Sequence, residues 1–156
     1  MGEARTEGEI EYVKTVEDQG EPVVVKTNAS HSDVREWLAR ARVFWHAAGL
    51  SEDEARHPER LEHFGISTVE AMANGCVPVV IRRGGQPEII EHAKSGFLCG
   101  SLEEMMSRTA ELAADQKLWA RMSSAARERA AAFGRAAFER RFQELAPFLW
   151  ATGSQR

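Results

Sequence analysis

Residues 62–75, EHFGISTVEAMANG, decide how the chain is read. They hold two carboxylates, a Phe-Gly turn, a helix start, and a helix that stops at glycine. A turn that runs into a helix leaves the first backbone N–H groups unpaired and pointing out of the helix start. Gly65 carries no Cβ, so a ligand's oxygens can approach that backbone closely. Together these features suit an anion such as a diphosphate. A second reading fits the same residues: Ser67 and Glu70 have the spacing of a capping box, which needs no ligand.

On one continuous helix Glu62 and Glu70 would stand ~12 Å apart along the axis, too far to act as a pair. Gly65 breaks that continuity. Glu62 then lies in the loop ahead of the helix and Glu70 in its first turn, so both can face one ligand from different sides. A hydrolytic pair would need a separation of roughly 5 to 10 Å. The plainer reading of Glu62 is a solvated loop charge, because residues 49–62, GLSEDEARHPERLE, are rich in charge.

Around this stretch, short apolar runs alternate with helical patterns. Residues 23–26 (VVVK), 43–47 (VFWHA), 76–81 (CVPVVI) and 97–99 (FLC) read as four strands. Pro78 must sit near the start of its strand or at an unpaired position. Ile10, Val13 and Val16 suggest a short, partly exposed helix before Gly20. Ser30 or Ser32 can cap a helix over 33–42, and Gly75 ends the helix over 68–74 as a left-handed cap. Pro87 opens a helix that runs to about Lys94. Ser101 with Glu104 reads as a capping box, and Asp115 caps the next helix. Phe138, Phe142, Leu145 and Leu149 line a last helix that reaches about Trp150.

Strands that are near-continuous apolar runs, separated by helices, specify an α/β fold with a parallel sheet and helices on both faces. Ligands bind such sheets beyond the carboxyl ends of the strands. Three loops lie there: 27–32, 47–67 and 82–86. His46 closes a strand at that end; it is packed, solvent-facing, or in contact with a phosphate or sugar hydroxyl. Gly84-Gly85, ahead of Gln86-Pro87-Glu88, is either a plain turn or part of the ligand site. Residues 1–150 read as one domain, with 151–156 as a tail.

The 156 residues carry a net charge of −4, with 43% hydrophobic and 28% charged residues. That balance speaks against a nucleic-acid surface. No apolar run approaches the roughly 20 residues of a membrane-spanning helix. The acidic opening MGEARTEGEIEY does not read as a signal peptide. Cys76 and Cys99 sit in apolar runs and read as reduced core thiols of a cytoplasmic protein. The histidines show no zinc spacing with them, so no metal or other cofactor is expected. The dinucleotide glycine fingerprint and the Walker pattern are both absent.

EHFGISTVEAMANGCVPVV, followed by GGQPEII and SGFLC, resembles the C-terminal, donor-binding half of a retaining glycosyltransferase. The architecture is that of two Rossmann-like domains (GT-B), in glycosyltransferase family 4 / group 1. The signature is a glutamate, seven residues, then a second glutamate: Glu62 and Glu70. The resemblance covers about Val23 to Phe142. It implies a Rossmann-like sheet and transfer of a hexose from a nucleotide diphosphate sugar to an acceptor hydroxyl, without a metal. It implies that Glu62 lies against the donor sugar and is the catalytic carboxylate. Glu70 would bind the ribose, while Phe64, Gly65, Ile66 and Ser67 would present their backbone to the diphosphate. His46 and Gly85 would complete the donor site, and Asn28 to His31 would lie near the base.

The resemblance also departs from its family. Two strands bearing a diphosphate-gripping Arg and Lys have no counterpart, and neither does the N-terminal acceptor domain. The chain is therefore expected to be part of a larger enzyme, inactive by itself. The strand at 23–26 would then pair directly with that at 43–47, or a partner chain would fill the gap, and an unfilled, exposed sheet edge would invite a homo-oligomer. A non-catalytic nucleotide-binding or interaction module completed by a partner chain is the alternative expectation.

Overall fold

In the computed structural model, residues 5–18 and 23–146 are described. They fall into two compact units, residues 1–37 and 38–156, with the boundary inside the second helix.

The first unit holds α1 (Glu7–Glu17) and the start of α2 (His31–Arg40). Thr6 caps α1 in a reciprocal box with Glu9. Ser30 leads into α2: its hydroxyl and backbone N–H both engage the Asp33 carboxylate, holding that carboxyl below its ordinary range. Of the two predicted caps, Ser30 is the one that accepts from the Asp33 amide.

The predicted strand over 23–26 does not form. Among the described residues Val23 to Lys26 have no regular structure, and Val23 and Val24 are exposed. A β-branched run favours extended backbone, yet it becomes a strand only where a neighbouring strand accepts its hydrogen bonds.

The second unit is the α/β body. Its sheet has three parallel strands among the described residues, in the order β1 (Val43–His46), β2 (Val77–Ile81), β3 (Phe97–Cys99). Four strands were expected; the missing one is that at 23–26. Every residue of β2 is buried, as its continuous apolar run requires. Pro78 pairs in register with Phe44 and precedes the first rung to β3, Val79 with Phe97. The Val77 N–H already points to Arg42 on the β1 side. Alternation therefore turns the Pro78 nitrogen away from β1, where no ladder bond is lost.

Helices cover both faces. Val77, Val79 and Ile81 pack with Phe97 and Cys99 against Met105 and Leu112 of α5 (Leu102–Ala114) and Met122 of α6 (Gln116–Ala131). Val80 and Leu98 face the other way. They meet Met72 of α3 (Ile66–Ala73), Ile89 of α4 (Gln86–Ile89), and Ala126 and Ala130 of α6. Ser101 and Asp115 cap α5 and α6 as expected. The box at α5 is displaced by one residue, because Glu104 Oε2 accepts from the Gly100 amide rather than from Ser101.

Four helices differ from expectation. α2 spans His31–Arg40 rather than 33–42. The helix opened by Pro87 spans only Gln86–Ile89, and Pro87 is its second residue. Ile90 is already extended, and His92 bridges to Gly96 instead of continuing the helix. α3 starts at Ile66, two residues early. The last helix, α7 (Arg135–Leu145), ends short of the expected Trp150 among the described residues, and the apolar residues that line it are exposed: Phe138, Phe142 and Leu145 are 67%, 37% and 83% exposed. Leu149 and Trp150 lie outside the described residues.

Leu112 is fully buried at the centre of the first cluster. Leu112→Ala is expected to lower unfolding free energy by about 2–5 kcal/mol, read as a reduced urea midpoint. Both cysteines are free and buried. Burial raises the Cys76 thiol and pushes Cys99 up to about 11. A disulfide reagent at mildly alkaline pH should label neither thiol in the folded chain and both in denaturant. Prompt labelling without denaturant would contradict this packing.

Candidate functional site

The loops after β1 and β2 meet at the carboxyl end of the sheet. After β1 the chain runs through turns and a single 3₁₀ turn, Pro58–Arg60, to Leu61, which is buried. It then reaches Glu62 and the Phe64–Gly65 turn. The loop after β2 lays Gly84 and Gly85 directly on that segment. The Gly85 N–H donates to Glu62 O at 2.8 Å. A Cβ on Gly85 would stand 2.3 Å from His63 O, and one on Gly84 would stand 2.2 Å from Glu62 O. The double glycine is thus the condition for two backbones to touch. The Arg83 guanidinium adds a bond to Glu52 O in the same long loop.

α3 begins on Gly65, whose φ of 85° lies in the left-handed region. No side chain caps this helix. The capping box read from Ser67 and Glu70 therefore does not form: Ser67 is the second helical residue, not the cap. The first intrahelical bond is Val69 N–H to Gly65 O. Among the described residues the amides of Ile66 and Ser67 have no acceptor, and both residues are exposed. The helix start is open, with its partial positive charge directed outward.

Glu62 is not a free loop charge. Its Oε1 accepts from the amides of Phe64 at 3.2 Å and Gly65 at 2.8 Å. Its Oε2 lies 3.1 Å from His46 Nε2, with the His46 and Glu62 side chains 18% and 28% exposed. The ring of His46 stacks on Phe44. Behind it stands Gln86, buried, with Nε2 at 3.4 Å from His46 Nδ1 and 3.1 Å from Thr68 Oγ1. Gln86 and Thr68 were not singled out in the sequence. Nothing in a lone Gln between Gly and Pro marks it as buried; only the folding of α4 against α3 does.

The structure therefore brings together His46, Glu62, Phe64, Gly65, Ile66, Ser67 and Gly85. Glu70 is the fifth residue of α3 and exposed. Phe64 and Ile66 are exposed apolar residues at the helix start, and the Phe64 ring meets Phe133 edge-on at 6.1 Å. Asn28, with φ 53°, and His31, the first residue of α2, are exposed and belong to the other unit. Among the described residues no group of three or more His, Cys, Asp or Glu could hold a metal, and no helix is long and apolar enough to cross a membrane.

Comparison with known proteins bears on this geometry. A family model described as glycosyl transferases group 1 matches residues 6–129. A Dictyostelium discoideum GDP-Man:Man(3)GlcNAc(2)-PP-Dol alpha-1,2-mannosyltransferase is 34% identical over 82 residues, 52% of this chain and 16% of that protein. The crystal structure of Anabaena HepE in complex with UDP-glucose matches with a TM-score of 0.64 and 28% identity. That match covers 83% of this chain and 34% of that one. The C-terminal domain of a group 1 glycosyl transferase from Francisella tularensis matches with a TM-score of 0.62. At 18% identity, covering 81% of this chain and 64% of that domain, it speaks for the fold alone. The chain thus spans about a sixth of the mannosyltransferase and a third of HepE.

Gly85→Ala should force the Glu62–Phe64 backbone away and cost about 1–3 kcal/mol of stability, as overpacking does. Urea unfolding measures it. A variant as stable as the parent would show that the two loops are not in contact.

Proposed function

The chain belongs to the group 1 glycosyl transferases, and on that premise we propose that it forms the donor-binding part of a retaining, family 4 hexosyltransferase. The donor is a nucleotide diphosphate sugar, and the acceptor is a hydroxyl presented by a further domain or a partner chain. The observation that carries the reading is the uncapped start of α3 on left-handed Gly65, with Glu62 held beside it.

In this reading the open amides of Ile66 and Ser67 and the helix dipole take the diphosphate's negative charge. The Phe64–Gly65 turn and Gly85 shape the pocket behind it. Glu62 faces the sugar, where its charge favours the positive character that develops at the anomeric carbon as the diphosphate leaves. His46 steadies Glu62. Glu70 accepts hydrogen bonds from the ribose hydroxyls. An acceptor oxygen forms the new bond to the anomeric carbon, the sugar–phosphate bond breaks, and the nucleoside diphosphate departs. The helix start supplies the charge that a metal would otherwise supply. HepE, crystallised with UDP-glucose, supports the donor class.

The outer edge of β1 has no strand beside it among the described residues. That supports a body which works only when completed by more protein, a partner chain or a second copy. Alone, this cytoplasmic chain would bind donor weakly and transfer nothing.

Thermal melting against a panel of UDP- and GDP-sugars tests the reading. A donor at 100 times its Kd should stabilise the fold by about 2.7 kcal/mol. Glu70→Ala should weaken that donor by about 10- to 150-fold, the worth of hydrogen bonds to a carboxylate. If no nucleotide sugar shifts the melt, the donor-binding proposal fails. Sugar transfer by the purified chain would refute the claim that it is inactive alone.

A further inference from the structure

Gln86 is 2% exposed, and its Oε1 is a buried polar atom without a hydrogen-bond partner. Its Nε2 engages both His46 Nδ1 and Thr68 Oγ1. On the opposite side of the imidazole, Nε2 stands 3.1 Å from Glu62 Oε2. A bare nitrogen lone pair at that distance would repel the carboxylate, so His46 Nε2 carries a proton. A neutral imidazole then keeps its lone pair on Nδ1, which accepts from the Gln86 amide. The second Gln86 N–H goes to Thr68.

Turning the Gln86 amide over would set its carbonyl against Nδ1. His46 would then need a proton on Nδ1 as well, or would face Glu62 with a bare Nε2. With the NH2 end inward, every group from Thr68 to Gly65 finds a matching donor or acceptor, and the unsatisfied cost falls on one carbonyl alone. Gly65 makes room for this: a Cβ there would come 3.2 Å from Gln86 Nε2.

We propose that Gln86 is a positioning residue: its amide N–H holds His46 as the neutral, Nε2-protonated imidazole, which in turn fixes the Glu62 carboxylate over the Phe64–Gly65 turn. The tautomer follows from the Gln86 amide nitrogen lying between His46 Nδ1 and Thr68 Oγ1. Its consequence for sugar transfer rests on the role given to Glu62 above. Gln86 is buried behind the imidazole and acts through His46.

Imidazole nitrogen NMR on the folded 156-residue chain reads which ring nitrogen bears the proton, with the His46 signals assigned by their loss in His46→Gln. His46 should show a protonated Nε2 and a bare Nδ1. Gln86→Leu should move the tautomer ratio toward Nδ1–H by about 2- to 12-fold, the worth of one neutral hydrogen bond. Gln86→Glu, which sets a carboxylate against Nδ1, should draw a proton there. A protonated Nδ1 in the parent chain overturns the proposal. So does an unchanged ratio in Gln86→Leu when its backbone spectrum is intact. If Gln86→Leu does not fold, the parent spectrum and Gln86→Glu decide. No nucleotide is present in these spectra, so their outcome is separate from whether the chain binds nucleotide sugars.

Discussion

The architecture of the site depends on one backbone contact, the Gly85 N–H resting on Glu62 O. Two loops that leave different strands are locked there at van der Waals distance or closer, which only residues without Cβ permit. That contact fixes where Glu62 can put its carboxylate. It also sets the entry of the chain into α3 and the placement of Gln86 one residue further on. The glycines are needed by the fold before they are needed by any ligand.

The rear of α3 is fixed as firmly as its front. The Ser123 hydroxyl donates to Gly75 O, and the Arg127 side chain covers Gly75, whose φ of 88° closes the helix. Arg129 donates to Ile89 O and Glu88 O, tying α6 to the end of α4 as well. One long helix thus holds both short helices of the site. An eight-residue helix is marginal on its own, so its open N-terminus is kept in place by this packing and not by its own propensity.

Much of this was legible in the sequence. Continuous apolar runs at 43–47, 76–81 and 97–99 gave the three strands because β2 and β3 are buried on both faces. Ser101 and Asp115 announced two helix starts through their own chemistry, and Gly75 announced a helix end. The run at 23–26 misled because strand propensity cannot supply a hydrogen-bonding neighbour. Ser67 and Glu70 misled because a capping box and an uncapped helix share the same spacing; the left-handed turn at Gly65 moves the start forward and leaves Ser67 inside. Phe138, Phe142 and Leu145 have core periodicity, yet periodicity states only that a face is apolar and not that something covers it. Glu62, His46, Gly65 and Gly85 were named from motif and strand end, and they converge. Gln86 and Thr68 were invisible because their pairing is made by tertiary contact alone.

The placement of charge explains why these parts belong together. A carboxylate next to a diphosphate would repel it, so under the donor-binding proposal Glu62 and the helix start serve different ends of the donor. The structure separates them: Glu62 is taken up by the turn amides of Phe64 and Gly65 and by His46, while the amides of Ile66 and Ser67 stay open. The result is a negative group and a positive helix tip side by side, each already oriented. Under the donor-binding proposal a sugar diphosphate matches that polarity. It carries negative charge on its phosphates, and as its glycosidic bond to phosphate stretches it gains positive charge one atom away. Charge arranged in advance costs little reorganisation during the reaction. Under that proposal the supports beneath Glu62, from Gly85 through His46 to Gln86, bear on rate through the placement of a single carboxylate.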